Sequence, residues 1–173
     1  ATAPISKSAW ALAGLPWRGH TECLGALTGV DHVRMLFYSS RLTVVLSTVH
    51  MAIADVSRML TKECLKVTIE LTHKELPHFG VDHPRLVVSG LNPHAGEDGL
   101  ISNDEDKYLK PMIKKLKNQK INITGPISGD GMINKINLKN YDVFLFTFHD
   151  QALIPFKIFS NFSGVNYTSN LSF

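Results

Sequence analysis

The chain has few cysteines and no long apolar run. Only Cys23 and Cys64 occur among its 173 residues, and they form neither a C-x-x-C pair nor a disulfide framework. No apolar stretch approaches the roughly 20 residues that a membrane-spanning helix needs, and no signal-peptide pattern is present at the amino terminus. These features predict a cytoplasmic protein with two reduced thiols and no membrane partner.

The chain also has no large excess of positive or negative charge. The formal net charge is +3, and the main basic cluster, "KPMIKKLKNQK" at 110–120, contains no interleaved aromatic residues. Such a cluster indicates a solvated helix face rather than a nucleic-acid surface. Internal repeats and low-complexity linkers are absent too, while the hydrophobic fraction of 44% is enough for an ordinary buried core.

Strand patterns and helix patterns alternate along the chain. Apolar and β-branched runs predict strands at 32–38 and 42–50, separated by a turn at "SSR". The segments "RLVVSG", "INITGPIS" and "YDVFLFTF" predict three more strands. The last is continuously apolar, as is typical of a central strand covered on both faces.

Two helices are predicted between these strands. Thr61 is expected to cap the first, whose inward positions recur at helical spacing. The second is expected to begin at Asn103 and Asp104 and to be kinked at Pro111. This alternation predicts an α/β domain with a mostly parallel or mixed sheet, in which ligands bind beyond the carboxyl ends of the strands. The inward positions of the first helix are Leu65, Ile69, Thr72 and Leu76.

Three of the eight histidines have neighbours that suggest a function. His20 lies in the turn "PWRGHTE", His94 in "NPHAGE" after one predicted strand, and His149 in "FHDQ" after another. Their spacing matches no local zinc motif, so the residues alone leave open metal binding, proton transfer and ordinary hydrogen bonding. The remaining histidines are assigned structural or surface roles; they are His32, His50, His73, His78 and His83.

A set of short motifs occurs in one order along the chain: "TAPISK", "GLPWRGHTE", "LVVSGLNPHAGEDG", "ITGPISGD", "FHDQALIPFK" and "GVN". Together they resemble the 4-hydroxythreonine-4-phosphate dehydrogenase family of pyridoxal phosphate biosynthesis. The resemblance implies an α/β/α sandwich of the isocitrate/isopropylmalate dehydrogenase-like type and a homodimer with a shared active site. It further implies that residues 1–173 are a fragment, covering the central region and part of the C-terminal region of a two-domain enzyme.

The same resemblance implies the site residues. A divalent metal would be held by His20, His94 and His149, with His149 meeting the other two from the partner chain. Zn²⁺ suits nitrogen ligands best, and Co²⁺, Mn²⁺ or Mg²⁺ are alternatives. Lys157 would act in catalysis and substrate binding, Asn166 in substrate binding and Asp130 in catalysis. The cofactor would be NAD or NADP, but no G-x-G-x-x-G motif follows a strand, so its binding residues stay unassigned.

The implied reaction is the oxidation of 4-phosphohydroxy-L-threonine to 2-amino-3-oxo-4-phosphooxybutanoate. This β-keto acid would then lose CO₂ to give 3-amino-2-oxopropyl phosphate in vitamin B6 biosynthesis. One alternative is a related decarboxylating dehydrogenase that acts on another hydroxy acid or on a dihydrodiol acid. Another is a truncated, non-catalytic relative. On the fragment interpretation, the 173-residue chain alone is expected to have weak or no activity.

Overall fold

Residues 2–161 and 163–172 are described by a computed structural model, and they contain a mixed sheet of six strands. The spatial order of the strands is β4-β3-β5-β2-β1-β6. In chain order they are β1 (Met35–Tyr38), β2 (Thr43–Leu46), β3 (Leu86–Ser89), β4 (Ile123–Ile127), β5 (Val143–Phe146) and β6 (Val165–Thr168).

The helices are short, and the longest has 14 residues. Within the described part of the chain, no helix has the length and apolar content needed to cross a membrane. In chain order they are α1 (Lys7–Leu12), α2 (His20–Thr28), α3 (Val56–Met59), α4 (Lys62–Glu75), α5 (Lys110–Asn118), α6 (Asn137–Asn140) and α7 (His149–Ser160). Short 3₁₀ segments lie at Ile53–Asp55, Leu76–Phe79 and Pro93–Gly99.

Four neighbouring strands run in the same direction. β4, β3, β5 and β2 form parallel pairs, whereas β1 pairs antiparallel with both β2 and β6. The loops that follow β2, β3, β4 and β5 therefore all leave the sheet at one edge, and side chains in these loops can meet there.

Helices cover both faces of the sheet. Along β2, Val45 packs with α4 and α5 on one face, while Val44 and Leu46 pack with α7 on the other, as the alternation of side chains along a strand requires. All three valine and leucine side chains are at most 1% exposed. The predicted α/β/α architecture is thus confirmed.

Two element predictions are confirmed in detail. The Thr61 hydroxyl accepts a hydrogen bond from the backbone N–H of Cys64 at 3.1 Å and so caps α4. The continuously apolar strand β5 is central, with β3 on one side and β2 on the other, and all four of its residues are buried. The four inward positions predicted for the first helix, Leu65, Ile69, Thr72 and Leu76, are also buried.

The second predicted helix differs from the expectation. Its N-cap is Asp104, one of the two residues expected to open it, but its first part is a π-helical turn, Glu105–Leu109, that passes into α5. Pro111 therefore lies in the first turn of α5 instead of in the middle of a regular helix. Proline is tolerated at this position because the first backbone N–H groups of an α-helix need no intrahelical partner. The helix is irregular at the π-helical turn Glu105–Leu109, which precedes Pro111, and not at the proline itself as predicted.

Candidate active site

Polar side chains collect at the carboxyl edge of the four parallel strands. His50 follows β2, His149 follows β5, His94 follows β3 and Asp130 follows β4. Since these strands are neighbours in the order β4-β3-β5-β2, the loops of Asp130, His94, His149 and His50 succeed one another along the edge. This is the part of a parallel sheet where ligand sites are usually found.

A first cleft of about 720 Å³ opens between the loops after β2 and β5. His50 and His149 both line it, and their ring centroids are 5.7 Å apart. Arg18, Phe148 and Asp150 contribute to the same wall. The structure therefore brings two imidazoles and one guanidinium to a single cavity.

Each of the two imidazoles contacts a carboxylate through the same ring nitrogen. His50 Nδ1 lies 3.2 Å from Glu22 Oε1, and His149 Nδ1 lies 2.7 Å from Asp150 Oδ1. An ionised carboxylate can only accept, so Nδ1 donates in both pairs, which in a neutral imidazole leaves the lone pair on Nε2. Imidazoles held in this way are typical ligands of divalent metals. The cleft therefore holds two side chains with the chemistry of metal ligands.

Glu22 carries an additional sign of a polar site. Its second oxygen, Oε2, is buried and has no hydrogen-bond partner among the described residues. A Cβ added at the neighbouring Gly19 would come within 3.3 Å of this oxygen and 4.0 Å of His50 Cε1. Glycine at position 19 thus allows the chain to approach the Glu22–His50 pair closely.

A second cleft, of about 680 Å³, adjoins the first, since Phe148 and Asp150 line both. His94 and Asp130 face this second cleft. The Ser128 hydroxyl and the backbone N–H of Gly131 donate to the Asp130 carboxylate, and these hydrogen bonds lower the pKa of Asp130. Asp130 is therefore an anion at neutral pH.

The loop that carries His94 has an uncommon backbone. Five successive residues, His94–Asp98, have φ between 47° and 80°, and only Gly96 among them is a glycine. Beneath this left-handed turn lies Glu105, which is 1% exposed and accepts a 2.8 Å hydrogen bond from the backbone N–H of Asn92. A Cβ at Gly96 would overlap Glu105 Oε2 and lie 2.6 Å from the Ser102 carbonyl oxygen. The buried carboxylate and the glycine together hold the turn in place.

Gln151 connects the loops of His94 and His149. Its side-chain oxygen accepts from Ser89 Oγ at 2.8 Å and from the backbone N–H of Thr147 at 3.1 Å, at the ends of β3 and β5. Its amide group donates to the Gly90 carbonyl at 3.0 Å. Because one side chain spans both strand ends, the spacing between the two histidine loops is fixed. No sequence pattern marks Gln151, Glu22 or Glu105 as a site residue.

His20 lies elsewhere than the other two predicted ligands. It is the first residue of α2, and its ring packs against Trp10 at a centroid distance of 5.7 Å. It lines neither cleft. Within residues 2–161 and 163–172, no three His, Cys, Asp or Glu side chains converge closely enough to hold a metal ion. The predicted set includes a ligand from a partner chain, so a single chain leaves that set a prediction.

Lys157 and Asn166 are both exposed, and neither lines a cleft. Asn166 is paired with Phe37 across β1 and β6, and Phe37 packs against Phe156 of α7 with ring centroids 5.5 Å apart. Cross-strand partners share a face of the sheet. Asn166 is therefore on the α7 face, as is Phe156, which directly precedes Lys157.

His50 is a candidate site residue, although its sequence context predicts a structural or surface role. Its signal was present in the sequence, because it follows an apolar run, "LTVVL", just as His149 follows "YDVFLFTF". The decisive fact is that β2 and β5 are parallel neighbours, which only the structure supplies.

Comparisons with known proteins agree with this architecture. The profile of a family described as pyridoxal phosphate biosynthetic protein PdxA matches residues 1–173. The 4-hydroxythreonine-4-phosphate dehydrogenase of Geobacter metallireducens is 40% identical over 171 residues, which are 99% of this chain and 50% of that protein. The corresponding protein of Ruegeria sp. is 41% identical, over 99% of this chain and 53% of its own length.

Solved structures give the same result. A 4-hydroxythreonine-4-phosphate dehydrogenase from Klebsiella pneumoniae superposes with a TM-score of 0.89 at 32% identity, covering 99% of this chain and 52% of that one. A terephthalate 1,2-cis-dihydrodiol dehydrogenase from Burkholderia xenovorans superposes with a TM-score of 0.78 at 26% identity, covering 87% and 48%. The chain spans about half the length of the curated relatives that it matches. By its sequence and its fold, this chain belongs to the PdxA family of pyridoxal phosphate biosynthetic proteins.

Proposed function

We propose that the chain is part of an NAD-dependent, metal-assisted dehydrogenase that oxidises 4-phosphohydroxy-L-threonine in vitamin B6 biosynthesis. The product, a β-keto acid, decarboxylates to 3-amino-2-oxopropyl phosphate. The observation that carries the proposal is the pair of imidazoles in one cleft, each backed by a carboxylate, in a chain whose relatives bear the name of this dehydrogenase. NADP is the alternative cofactor, and the cytoplasm is the proposed location.

The metal ligands we propose are His50 and His149, with His94 from the adjoining cleft. The predicted set has His20 in place of His50. The parallel pairing of β2 with β5 and the 5.7 Å between the His50 and His149 rings support the set with His50. Zn²⁺ is the first choice for imidazole ligands, ahead of Co²⁺, Mn²⁺ and Mg²⁺. When bound, such a metal acts as a Lewis acid that lowers the pKa of the substrate hydroxyl. A homodimer is proposed to complete the site.

The protein's own groups then bind and orient the substrate. The Glu22 and Asp150 carboxylates hold the Nδ1 protons of His50 and His149 and so fix both rings. Lys157 lies outside both clefts of this chain, so its proposed role, binding an anionic group of the substrate and helping to move the hydroxyl proton, requires the shared site of the homodimer. Asn166 can donate and accept a hydrogen bond at the substrate.

Asp130 is the second proposed catalytic group. Its hydrogen bonds with Ser128 and Gly131 keep it ionised, and it shares the second cleft with His94. In this position the Asp130 carboxylate forms an ion pair with the substrate ammonium group. NAD, when bound, would accept the hydride from the hydroxyl carbon, and the hydroxyl proton would pass to a base on the protein.

A related decarboxylating dehydrogenase, which oxidises a dihydrodiol acid, is the second candidate. The observation in its favour is the similarity to the terephthalate dihydrodiol dehydrogenase structure. That similarity has the lower TM-score and the lower identity of the two, 0.78 and 26% against 0.89 and 32%. The phosphorylated substrate is therefore the first choice.

Turnover by the full-length protein tests the proposal. With NAD and Zn²⁺, we expect NADH to form from 4-phosphohydroxy-L-threonine and not from a cis-dihydrodiol of terephthalate. A chelator should stop the reaction, and added Zn²⁺ should restore it. Turnover of the dihydrodiol alone would favour the second candidate. Turnover of neither substrate, by a folded protein, would point to a non-catalytic relative.

A further inference from the structure

Arg18 lines the first cleft, but the proposed function gives it no role. Its Nη1 group donates a 2.7 Å hydrogen bond to the His50 carbonyl oxygen, and the side chain lines the first cleft together with the two imidazoles. The side chain takes part in no ion pair among the described residues. One of its five N–H donors is thus used by the backbone, and the exposed guanidinium has further donors for a ligand.

Arg18 is also the one lysine or arginine that lines either cleft in the described part of the chain. The other lining residues of the first cleft are mainly apolar, apart from the two imidazoles and Asp150. A guanidinium presents its donors as a planar fork that matches a carboxylate or a phosphate group. An anionic ligand that binds at His50 and His149 could therefore accept hydrogen bonds from the Arg18 guanidinium.

We infer that Arg18 binds an oxyanion group, the carboxylate or the phosphate, of the substrate held at His50 and His149. The inference rests on the proposed function for the identity of the substrate, but not for the anion site itself. An opposing explanation is that Arg18 only supports the loop of His50 through the carbonyl contact. The two roles differ in what they do to metal affinity, and this difference makes them separable.

Three variants of the full-length protein distinguish the roles. Arg18→Gln removes the charge and keeps an N–H donor for the His50 carbonyl. Arg18→Lys keeps the charge but lacks the planar pair of N–H donors. Arg41→Gln is the matched control, because Arg41 lies in the β1–β2 turn at the opposite edge of the sheet. It removes one positive charge without touching either cleft.

Substrate kinetics and zinc binding are measured together. Arg18→Gln should raise the KM for 4-phosphohydroxy-L-threonine at least about tenfold, the effect expected of a lost charged hydrogen bond. Its kcat and Zn²⁺ affinity should stay within about threefold of the parent, with Arg18→Lys intermediate and Arg41→Gln unchanged. An unchanged KM would overturn the inference. So would a weakened Zn²⁺ affinity that accounts for the whole increase in KM, since Arg18 would then be a support for His50.

Calorimetry with simple anions keeps the inference testable if the substrate proposal fails. The zinc-loaded protein is titrated with inorganic phosphate and, separately, with malonate, and the anion that binds identifies the group. Binding to the parent and to Arg41→Gln, but at least about tenfold weaker binding to Arg18→Gln, would support the inference without any turnover. Equal binding to all variants, or no binding of either anion to the parent, would contradict it.

Discussion

At the scale of single residues, the orientation of the two cleft imidazoles depends on two carboxylates. Asp150 is adjacent to His149 in the chain, so their contact is local. Glu22 comes from α2 and reaches His50 across 28 positions, so that contact depends on the fold. Glu22 is therefore the carboxylate whose loss should disturb the cleft most.

Replacement of Glu22 by alanine should weaken Zn²⁺ binding about 10- to 100-fold, as is typical when the carboxylate behind a metal-binding histidine is removed. Without it, the His50 ring loses the acceptor for Nδ1–H and can rotate. Zn²⁺ affinity is measured by competition with a chelator. Glu63→Ala is the control, because Glu63 is 66% exposed and has only a 3.8 Å contact with Lys66. Equal affinities in both variants would show that Glu22 does not position His50.

Some residues of the candidate site can be identified from the sequence and others cannot. His94 and His149 were found because each follows an evident strand and sits in a distinctive motif. His50 follows a strand too, but its neighbours "STV" and "MAI" carry no polar motif. Glu22 was part of the recognised motif "GHTE", yet its partner could not be deduced, because the contact joins residues that are remote in the chain.

At the scale of elements, the left-handed turn His94–Asp98 is the least regular part of the site, and Gly96 is the residue that permits it. Gly96→Ala should lower the free energy of unfolding more than Gly29→Ala does. Both glycines have positive φ, 80° and 67°, but a Cβ at Gly29 meets nothing within 4 Å. We expect a loss of about 1 kcal/mol for Gly29→Ala from backbone strain alone. Overpacking against Glu105 and Ser102 should add about 1 to 3 kcal/mol for Gly96→Ala.

Urea denaturation of both glycine variants provides the measurement. Similar losses in the two proteins would mean that the turn can move away from Glu105 at little cost. The His94 loop would then be a flexible segment instead of a fixed one, and the proposed ligand would need another means of support.

Regular elements were more predictable than irregular ones. A capping threonine and helical spacing predicted α4, and an unbroken apolar run predicted β5, because both signals are local. The π-helical turn at Glu105–Leu109 and the five left-handed residues have no such signal. Their geometry arises from tertiary contacts, chiefly the burial of Glu105 under the loop, and only the tertiary structure reveals it.

At the scale of the whole molecule, a buried carboxylate ties the C-terminal strand to the middle of the chain. Glu75, which is 4% exposed, accepts from the Tyr167 hydroxyl at 2.7 Å and from the Asn170 backbone N–H at 3.1 Å. Burial and the hydrogen bond to Glu75 raise the pKa of Tyr167 from 10.0 to about 12. The antiparallel edge formed by β1 and β6 is anchored to α4 by this contact.

The anchor predicts a pH dependence of stability. Because the folded protein holds the Tyr167 proton more tightly than the unfolded chain, the contribution is complete below pH 10.0 and is lost as the pH rises to about 12. The difference in urea midpoint between the parent and Tyr167→Phe should therefore shrink over this range. Measurements at pH 8, 10 and 11 (roughly the plateau and the transition) check this. A difference that stays constant with pH would contradict the assignment.

The candidate site as a whole could be predicted only in part. Alternating patterns gave the α/β class, and the resemblance gave the three-layer architecture. The order of the strands could not be deduced from local patterns, because the pairings of β2 with β5 and of β3 with β4 join distant segments. That order brings His50 beside His149 and makes His50 a candidate ligand, while the expected set with His20 stays a prediction.

The most direct test of the central claim, that imidazoles at neighbouring strand ends bind one metal, is the zinc content of four variants of the full-length protein. The variants are His50→Ala, His94→Ala, His149→Ala and His20→Ala, each purified, loaded with Zn²⁺ and dialysed. We expect the first three variants to lose the bound zinc and His20→Ala to retain it. Retention of zinc by His50→Ala, together with its loss from His20→Ala, would contradict the account.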